Sequence, residues 1–235
     1  PIQMAQRYGP IYLFFVAFIV SMVTFTKGLK HIGLGLDYTD SIIYSFIFGL
    51  FITFLGFVFL SRLRNSSIDQ IFGILMVFTA CVMAFAHGSN DTANAVGPVA
   101  AVFSTVMNEG VSTEAAVSVW LLLGGGIGIV LGLAMWGYRV IQTIGKEITK
   151  LTPTSGFAAE LAAATTVVIA SGNAMPISTT HTLVGAVFGV GLAMSIKDLD
   201  FKVVGKIVAS WLTTVPAGAI LSMIFLTLFR YLFQI

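Results

Sequence analysis

The feature that most constrains this chain is a set of long apolar stretches without charges. An α-helix needs about 20 consecutive apolar residues to cross the hydrocarbon core of a bilayer. Only 9% of the 235 residues are charged and 57% are apolar, which leaves too little polar surface for an ordinary soluble domain. We therefore predict an all-α, polytopic membrane protein, with plain spanning helices at residues 10–26 and 41–60 and further long apolar runs at 115–138 and 207–229.

Two further apolar stretches carry polar interruptions. Residues 71–107 hold the string HGSNDTANA at 87–95, which predicts a helix that is broken at membrane depth. Residues 157–170 and 177–194 are each short for a full crossing, and SGNAMP joins them at 171–176. These two pieces predict a re-entrant hairpin. The whole chain then has six to eight membrane segments, some of them discontinuous.

Smaller features predict details of packing. Gly124, Gly128 and Gly132 recur every fourth residue, which predicts a close helix crossing. Pro216 should kink the last helix. Residues 62–70 and 197–206 are predicted as polar or charged loops. Cys81 lies in an apolar run as a small hydrophobe. The formal charge of +2 includes no basic tract, so a nucleic-acid partner is not expected.

Asp91 and Glu160 are the charged residues most clearly embedded in apolar sequence. A carboxylate inside a membrane segment is costly and is usually functional. The alternative for Asp91 is a structural carboxylate that a lysine or helix-end amides satisfy. Glu160 lies near the start of its segment, where a helix N-terminus would also stabilise a negative charge.

Oxygen-bearing side chains are concentrated around Asp91. Asn90, Asp91 and Asn94 offer carboxylate and amide oxygens without thiols or paired imidazoles, which is the ligand chemistry of hard cations. With backbone carbonyls freed by the predicted break, they form a candidate sodium site. The alternative is that the asparagines and serine only cap a helix.

The string MPISTTH at residues 175–181 predicts a helix start. Proline favours the first helical turn, and hydroxyl residues favour the cap position. A helix N-terminus has unpaired N–H groups and a partial positive charge, so it can bind phosphate, sulfate or carboxylate without arginine. Ser178, Thr179 and Thr180 could add hydroxyl donors. The alternative is an ordinary capped helix.

A hydrolase triad of Ser178, His181 and Asp91 is a competing interpretation. Serine and histidine three residues apart can be neighbours on a helix. The chain lacks a G-x-S-x-G elbow around this serine, and a triad is defined by geometry rather than by sequence. We therefore expect no enzyme here. His181 is expected to hydrogen-bond a neighbouring helix, with proton coupling as a minor alternative.

At these strings the chain resembles the inorganic phosphate transporter (PiT) family of cation-coupled phosphate symporters. HGSNDTANAVGP at 87–98 looks like the family's G-x-N-D-x-x-N-A signature. Residues 160–171 and PISTTH at 176–181 look like its second signature region. Such transporters carry this motif pair twice, in two inverted halves that share one site. This chain carries each motif once and resembles the C-terminal half.

The resemblance implies symport of inorganic phosphate by alternating access, most simply with sodium as the coupled ion and with protons as an alternative. It implies a multi-pass protein of the cell (inner) membrane, with connecting helices at 1–67 and a transporter repeat at 68–235. The chain starts with Pro1, so we expect a fragment whose N-terminal half is missing. A half-length subunit that pairs, or a homodimer, is the alternative. A carrier or channel for another oxyanion such as sulfate is the rival function.

The resemblance, together with the chemistry of the two strings, predicts two overlapping sets of site residues. Glu160 is placed in the sodium-binding set because it matches a family glutamate that is implicated in cation coupling. The phosphate-binding set is Asp91, Thr92, Ser178, Thr179 and Thr180. The sodium-binding set is Asn90, Asp91, Asn94, Glu160 and Ser178.

Overall fold

Helices fill almost all of the chain that the structure describes. The computed structural model describes residues 2–25, 36–62, 67–107, 117–173 and 175–234, and no strand occurs within these ranges. Parts of the predicted segments, at 26, 63–66, 115–116 and 174, lie outside them. The α-helices are α1 (Ile2–Val23), α2 (Tyr38–Arg62), α3 (Ile68–Met107), α4 (Val119–Gln142), α5 (Pro153–Gly172), α6 (Thr179–Met194) and α7 (Phe201–Phe233).

Five of these helices, namely α2, α3, α4, α5 and α7, are long and apolar enough to cross a membrane. The apolar part of α1 and the whole of α6 are shorter. The predicted all-α, multi-pass membrane protein is therefore confirmed.

The predicted break in the third helix is wrong. α3 runs without interruption for 40 residues, straight through the polar string at 87–95. At about 1.5 Å per residue it is roughly 60 Å long, and the string lies near its middle. A bilayer interior offers no water to satisfy freed backbone groups. The polar side chains of the string instead bond to each other and to α5 and the start of α6, and the helix continues through them to Met107.

α5 and α6 form the predicted helical hairpin. Thr152 and Ser155 build a capping box that starts α5 at Pro153, four residues before the predicted start. α5 is therefore 20 residues long and can span by length, whereas α6 has only 16 residues. The two segments were predicted to be re-entrant because each was too short to cross the bilayer. This reason no longer applies to α5, and for α6 the re-entrant path stays a prediction.

The core of the bundle lies where α5 packs on α3. Small residues of α5 allow this approach, because alanine side chains let two helix backbones come close. α1 packs on α2 and also reaches α3 through Leu13, which is buried with Ile71 and Leu75. The two predicted parts of the chain, 1–67 and 68–235, therefore share a core, and their division stays a prediction. The α3–α5 core contains Val82, Met83, Ala86, Ala163, Ala164, Val167 and Val168.

The peripheral helices shorten one predicted loop and leave two other predictions untested. α7 begins at Phe201, where the Asp200 side chain accepts hydrogen bonds from the first turn, so the predicted loop at 197–206 is shorter. Pro216 lies inside the continuous α7, and its kink stays a prediction. The predicted tight crossing through three glycines meets no partner helix within the described residues and stays a prediction. A Cβ atom built on Gly124, Gly128 or Gly132 meets nothing within 4 Å.

Gly125 makes the close helix approach instead. A Cβ atom built there would lie 2.6 Å from Cγ2 of Val96 on α3. Gly125→Ala should therefore lower the stability of the folded protein by about 1–3 kcal/mol through overpacking. Gly124→Ala is the matched control, since that position is open. Thermal unfolding of both variants in detergent tests this, and equal melting temperatures would contradict the assigned contact.

Candidate functional site

Asp91 is bonded to its own helix and to the start of α6. Nε2 of His87 lies 2.8 Å from its Oδ2 atom, one helical turn away. The Thr179 hydroxyl donates to both carboxylate oxygens, at 3.1 Å to Oδ1 and 3.2 Å to Oδ2. The side chains of His87 and Asp91 remain 34% and 33% exposed. The carboxylate is thus held on two sides and open on another.

Two asparagines tie α3 to both ends of the link between α5 and α6. Asn90 is 5% exposed and donates from its side-chain amide to Oγ of Ser171 at 3.0 Å. Asn94 donates to Oδ1 of Asn90 at 2.8 Å and to the carbonyl of Ile177 at 3.1 Å. Asn90 is therefore a buried residue that joins α3 to the end of α5. Oδ1 of Asn94 has no hydrogen-bond donor among the described residues and can face a cation.

The first turn of α6 can hold an anion. Ser178 is the N-cap, and its Oγ accepts from the backbone N–H of His181 at 3.2 Å. The backbone N–H groups of Thr179 and Thr180 have no acceptor in the described part of the chain. Ser178 and Thr180 are exposed, whereas Thr179 is 2% exposed. These two amides and two exposed hydroxyls thus lie at the helix start whose Thr179 bonds Asp91, and the helix dipole favours negative charge there.

Thr179 has a different partner from the one predicted. Its hydroxyl hydrogen points at Asp91 and so is not offered to an anion. Because successive residues of a helix are about 100° apart, Thr180 presents its hydroxyl in another direction. Of the two threonines predicted to bind phosphate, Thr179 therefore orients the Asp91 carboxylate, and Thr180 keeps a hydroxyl that is available to an anion.

Two predicted members make no hydrogen bond to the other site residues within the described chain. The methyl group of Thr92 faces α4, 3.4 Å from a Cβ built on Gly125. Glu160 precedes Ser171 by 11 residues on the same helix, which places it roughly 16 Å along the axis from the Asn90 contact. One sodium ion cannot be shared over that distance. The Oε2 atom of Glu160 is buried and has no hydrogen-bond partner among the described residues.

The sequence prediction missed His87 and Ser171 as members of the site. His87 and Asp91 are four residues apart, which places them on one face of a helix. Because a helix break was predicted within this string, the four-residue spacing was not interpreted as one helix face. Nothing in the local sequence of Ser171 shows that its hydroxyl meets Asn90.

The hydrolase triad is not assembled. Nδ1 of His181 lies 2.5 Å from Oγ of Ser178, but the side chains that bond Asp91 within the described chain are those of His87 and Thr179. The expected hydrogen bond from His181 to a neighbouring helix is also wrong. Its ring stacks on Trp211 of α7 instead, with ring centroids 3.7 Å apart.

Comparisons with known proteins agree on one family. The profile of the Phosphate transporter family matches residues 1–222. A putative phosphate permease of Haemophilus influenzae is 45% identical over 100% of this chain and 58% of its own length. Sodium-dependent phosphate transporter 1-B of Xenopus laevis is 48% identical over 70% of this chain and 24% of its own.

A solved structure gives the same result. This structure, of a sodium-dependent phosphate transporter, superposes with a TM-score of 0.80 at 35% identity, covering 92% of this chain and 54% of that one. The present chain thus spans about half the length of the permease and of the solved structure.

Proposed function

The chain belongs to the Phosphate transporter family, and from this premise we propose that it moves inorganic phosphate across the cell (inner) membrane together with sodium. The observation that carries the proposal is the pair of hydrogen bonds from Thr179 to Asp91. They bring a carboxylate that suits a cation next to a helix start that suits an anion. Because the chain spans about half of its relatives, we propose that a second repeat supplies the rest of the site.

Coupling follows from charge. Phosphate entering a cell works against an inside-negative potential, at about 2.3 kcal/mol per charge per 100 mV. It must also approach the negative Asp91 in a poorly screened cavity, where like charges repel strongly. A sodium ion on the open side of Asp91, with Oδ1 of Asn94 as a further ligand, offsets this repulsion. Rocking of one repeat against the other then alternates access.

The phosphate itself is held by the first turn of α6. We assign to it the backbone N–H groups of Thr179 and Thr180 and the hydroxyls of Ser178 and Thr180. Thr179 acts through its side chain on Asp91. Thr92 and Glu160 are left out of the shared site because of their positions.

Phosphate uptake with ion replacement tests the function. The complete protein is reconstituted in liposomes, and uptake is measured with an inward gradient of sodium, of choline or of protons. We expect uptake with sodium, little with choline, and weak competition by sulfate. Equal uptake with choline would overturn cation coupling, proton-driven uptake without sodium would change the coupled ion, and full competition by sulfate would change the substrate class.

Thr180→Val should weaken phosphate binding and leave sodium binding unchanged. The substitution keeps the shape of the side chain but removes an exposed donor to the anion. A hydrogen bond to a charged group contributes about 1.5–3 kcal/mol, so the phosphate affinity should fall roughly tenfold or more. Isothermal titration with each ion measures both effects. Unchanged phosphate affinity would remove Thr180 from the site.

A further inference from the structure

α7 touches the phosphate-binding turn through one aromatic pair. No residue of α7 is buried, but its Trp211 is partly buried at the edge of a cluster that includes Val184 and Val187 of α6. The Trp211 indole stacks on the His181 ring with centroids 3.7 Å apart and planes inclined by 27°. His181 in turn lies 2.5 Å from the Ser178 hydroxyl through Nδ1. Trp211, His181 and Ser178 therefore form a continuous chain of contacts.

The contact between His181 and Ser178 matters because a serine hydroxyl can make only a limited number of hydrogen bonds. A serine hydroxyl has one hydrogen and two lone pairs. One lone pair already accepts from the backbone N–H of His181. If Nδ1 accepts from the hydroxyl, no hydrogen is left for an anion. If Nδ1–H donates to the second lone pair, the hydroxyl hydrogen is free to point at phosphate.

We propose, on the basis of the function proposed above, that Trp211 is a positioning residue for phosphate binding. Its indole fixes the plane of the His181 ring so that Nδ1 stays beside the Ser178 hydroxyl, and we assign the ring hydrogen to Nδ1, which then donates to the second lone pair of Ser178. The Ser178 hydroxyl hydrogen is then available to the phosphate oxygens. Without the indole, the exposed His181 side chain is free to rotate away, and Ser178 loses the partner that orients it.

The test is the phosphate concentration dependence of uptake at saturating sodium. It compares wild type, Trp211→Leu, Trp211→Phe, Ser178→Ala and the double variant of Trp211→Leu with Ser178→Ala. Trp211→Leu should raise the phosphate KM roughly tenfold, as expected for one lost bond to a charged group, with sodium activation unchanged. Trp211→Phe keeps a stacking ring and should stay near wild type. Trp120→Leu is the matched control, since Trp120 is 81% exposed on α4.

The double variant separates positioning from general packing. If Trp211 acts through Ser178, Trp211→Leu should add nothing to the phosphate KM of Ser178→Ala. Additive increases in KM, or an unchanged KM in Trp211→Leu alone, would overturn the proposal. Absence of uptake by the wild type would instead overturn the proposed function, and this inference with it.

If the Trp211→Leu protein does not fold, two variants of His181 provide a second test. His181→Asn places an amide donor near the position of Nδ1, whereas His181→Leu removes the donor. We expect His181→Asn to retain much more phosphate affinity than His181→Leu. Equal losses in the two variants would show that the donor to Ser178 has no role in binding.

Discussion

Asp91→Asn is expected to abolish nearly all sodium-dependent phosphate uptake while the helices stay folded. Asparagine has the same shape, and its amide oxygen can still accept from the Thr179 hydroxyl. It carries no charge, however, so the proposed sodium ion loses its anionic ligand. Removing one partner of a poorly solvated charge pair costs about 3–5 kcal/mol, so uptake should fall by at least about 100-fold.

The control for this variant lies on the same helix. Asp69 is in the first turn of α3 and is exposed, so Asp69→Asn changes the net charge equally without touching the site. Uptake is measured in liposomes, and circular dichroism checks the helix content of both proteins. Uptake at the wild-type level by Asp91→Asn would refute the role assigned to the carboxylate.

Thr179→Val is expected to produce the second largest loss. Thr179 is 2% exposed, and valine fills the same space, so packing is retained. The lost hydroxyl donates to both oxygens of Asp91, and a bond to a charged group contributes about 1.5–3 kcal/mol. Uptake should therefore fall roughly 10- to 100-fold.

The pattern of the loss distinguishes Thr179 from Thr180. Because Thr179 orients the carboxylate, its variant should shift sodium activation and phosphate KM together, whereas Thr180→Val should shift phosphate alone. Thr179→Ser keeps the donor and should retain most of the uptake. If Thr179→Val changed only the phosphate KM, its hydroxyl would belong to the anion and not to Asp91.

Much of the architecture follows from the chain of residues alone. Uncharged stretches of about 20 residues match the length of a spanning helix, and a helix satisfies its own backbone groups in a bilayer. The all-α membrane class therefore follows from the sequence before any contact is known. The two polar strings were also visible in the sequence, because an aspartate or a run of hydroxyls is costly within apolar surroundings. Both strings do meet in the folded chain, at the bond between Asp91 and Thr179.

The pairing of individual polar groups depended on the folded chain. Hydropathy is a local property that can be added up along the sequence. The hydrogen-bond partner of a polar side chain, in contrast, depends on which helix packs against it. Asn90 and Asn94 reach residues more than 80 positions away, and these bonds satisfy their side-chain amides while α3 stays helical where a break was predicted. The same packing turns Thr179 inward and leaves Thr180 open. It also places Glu160 about three helical turns from the site that the sequence had grouped it with.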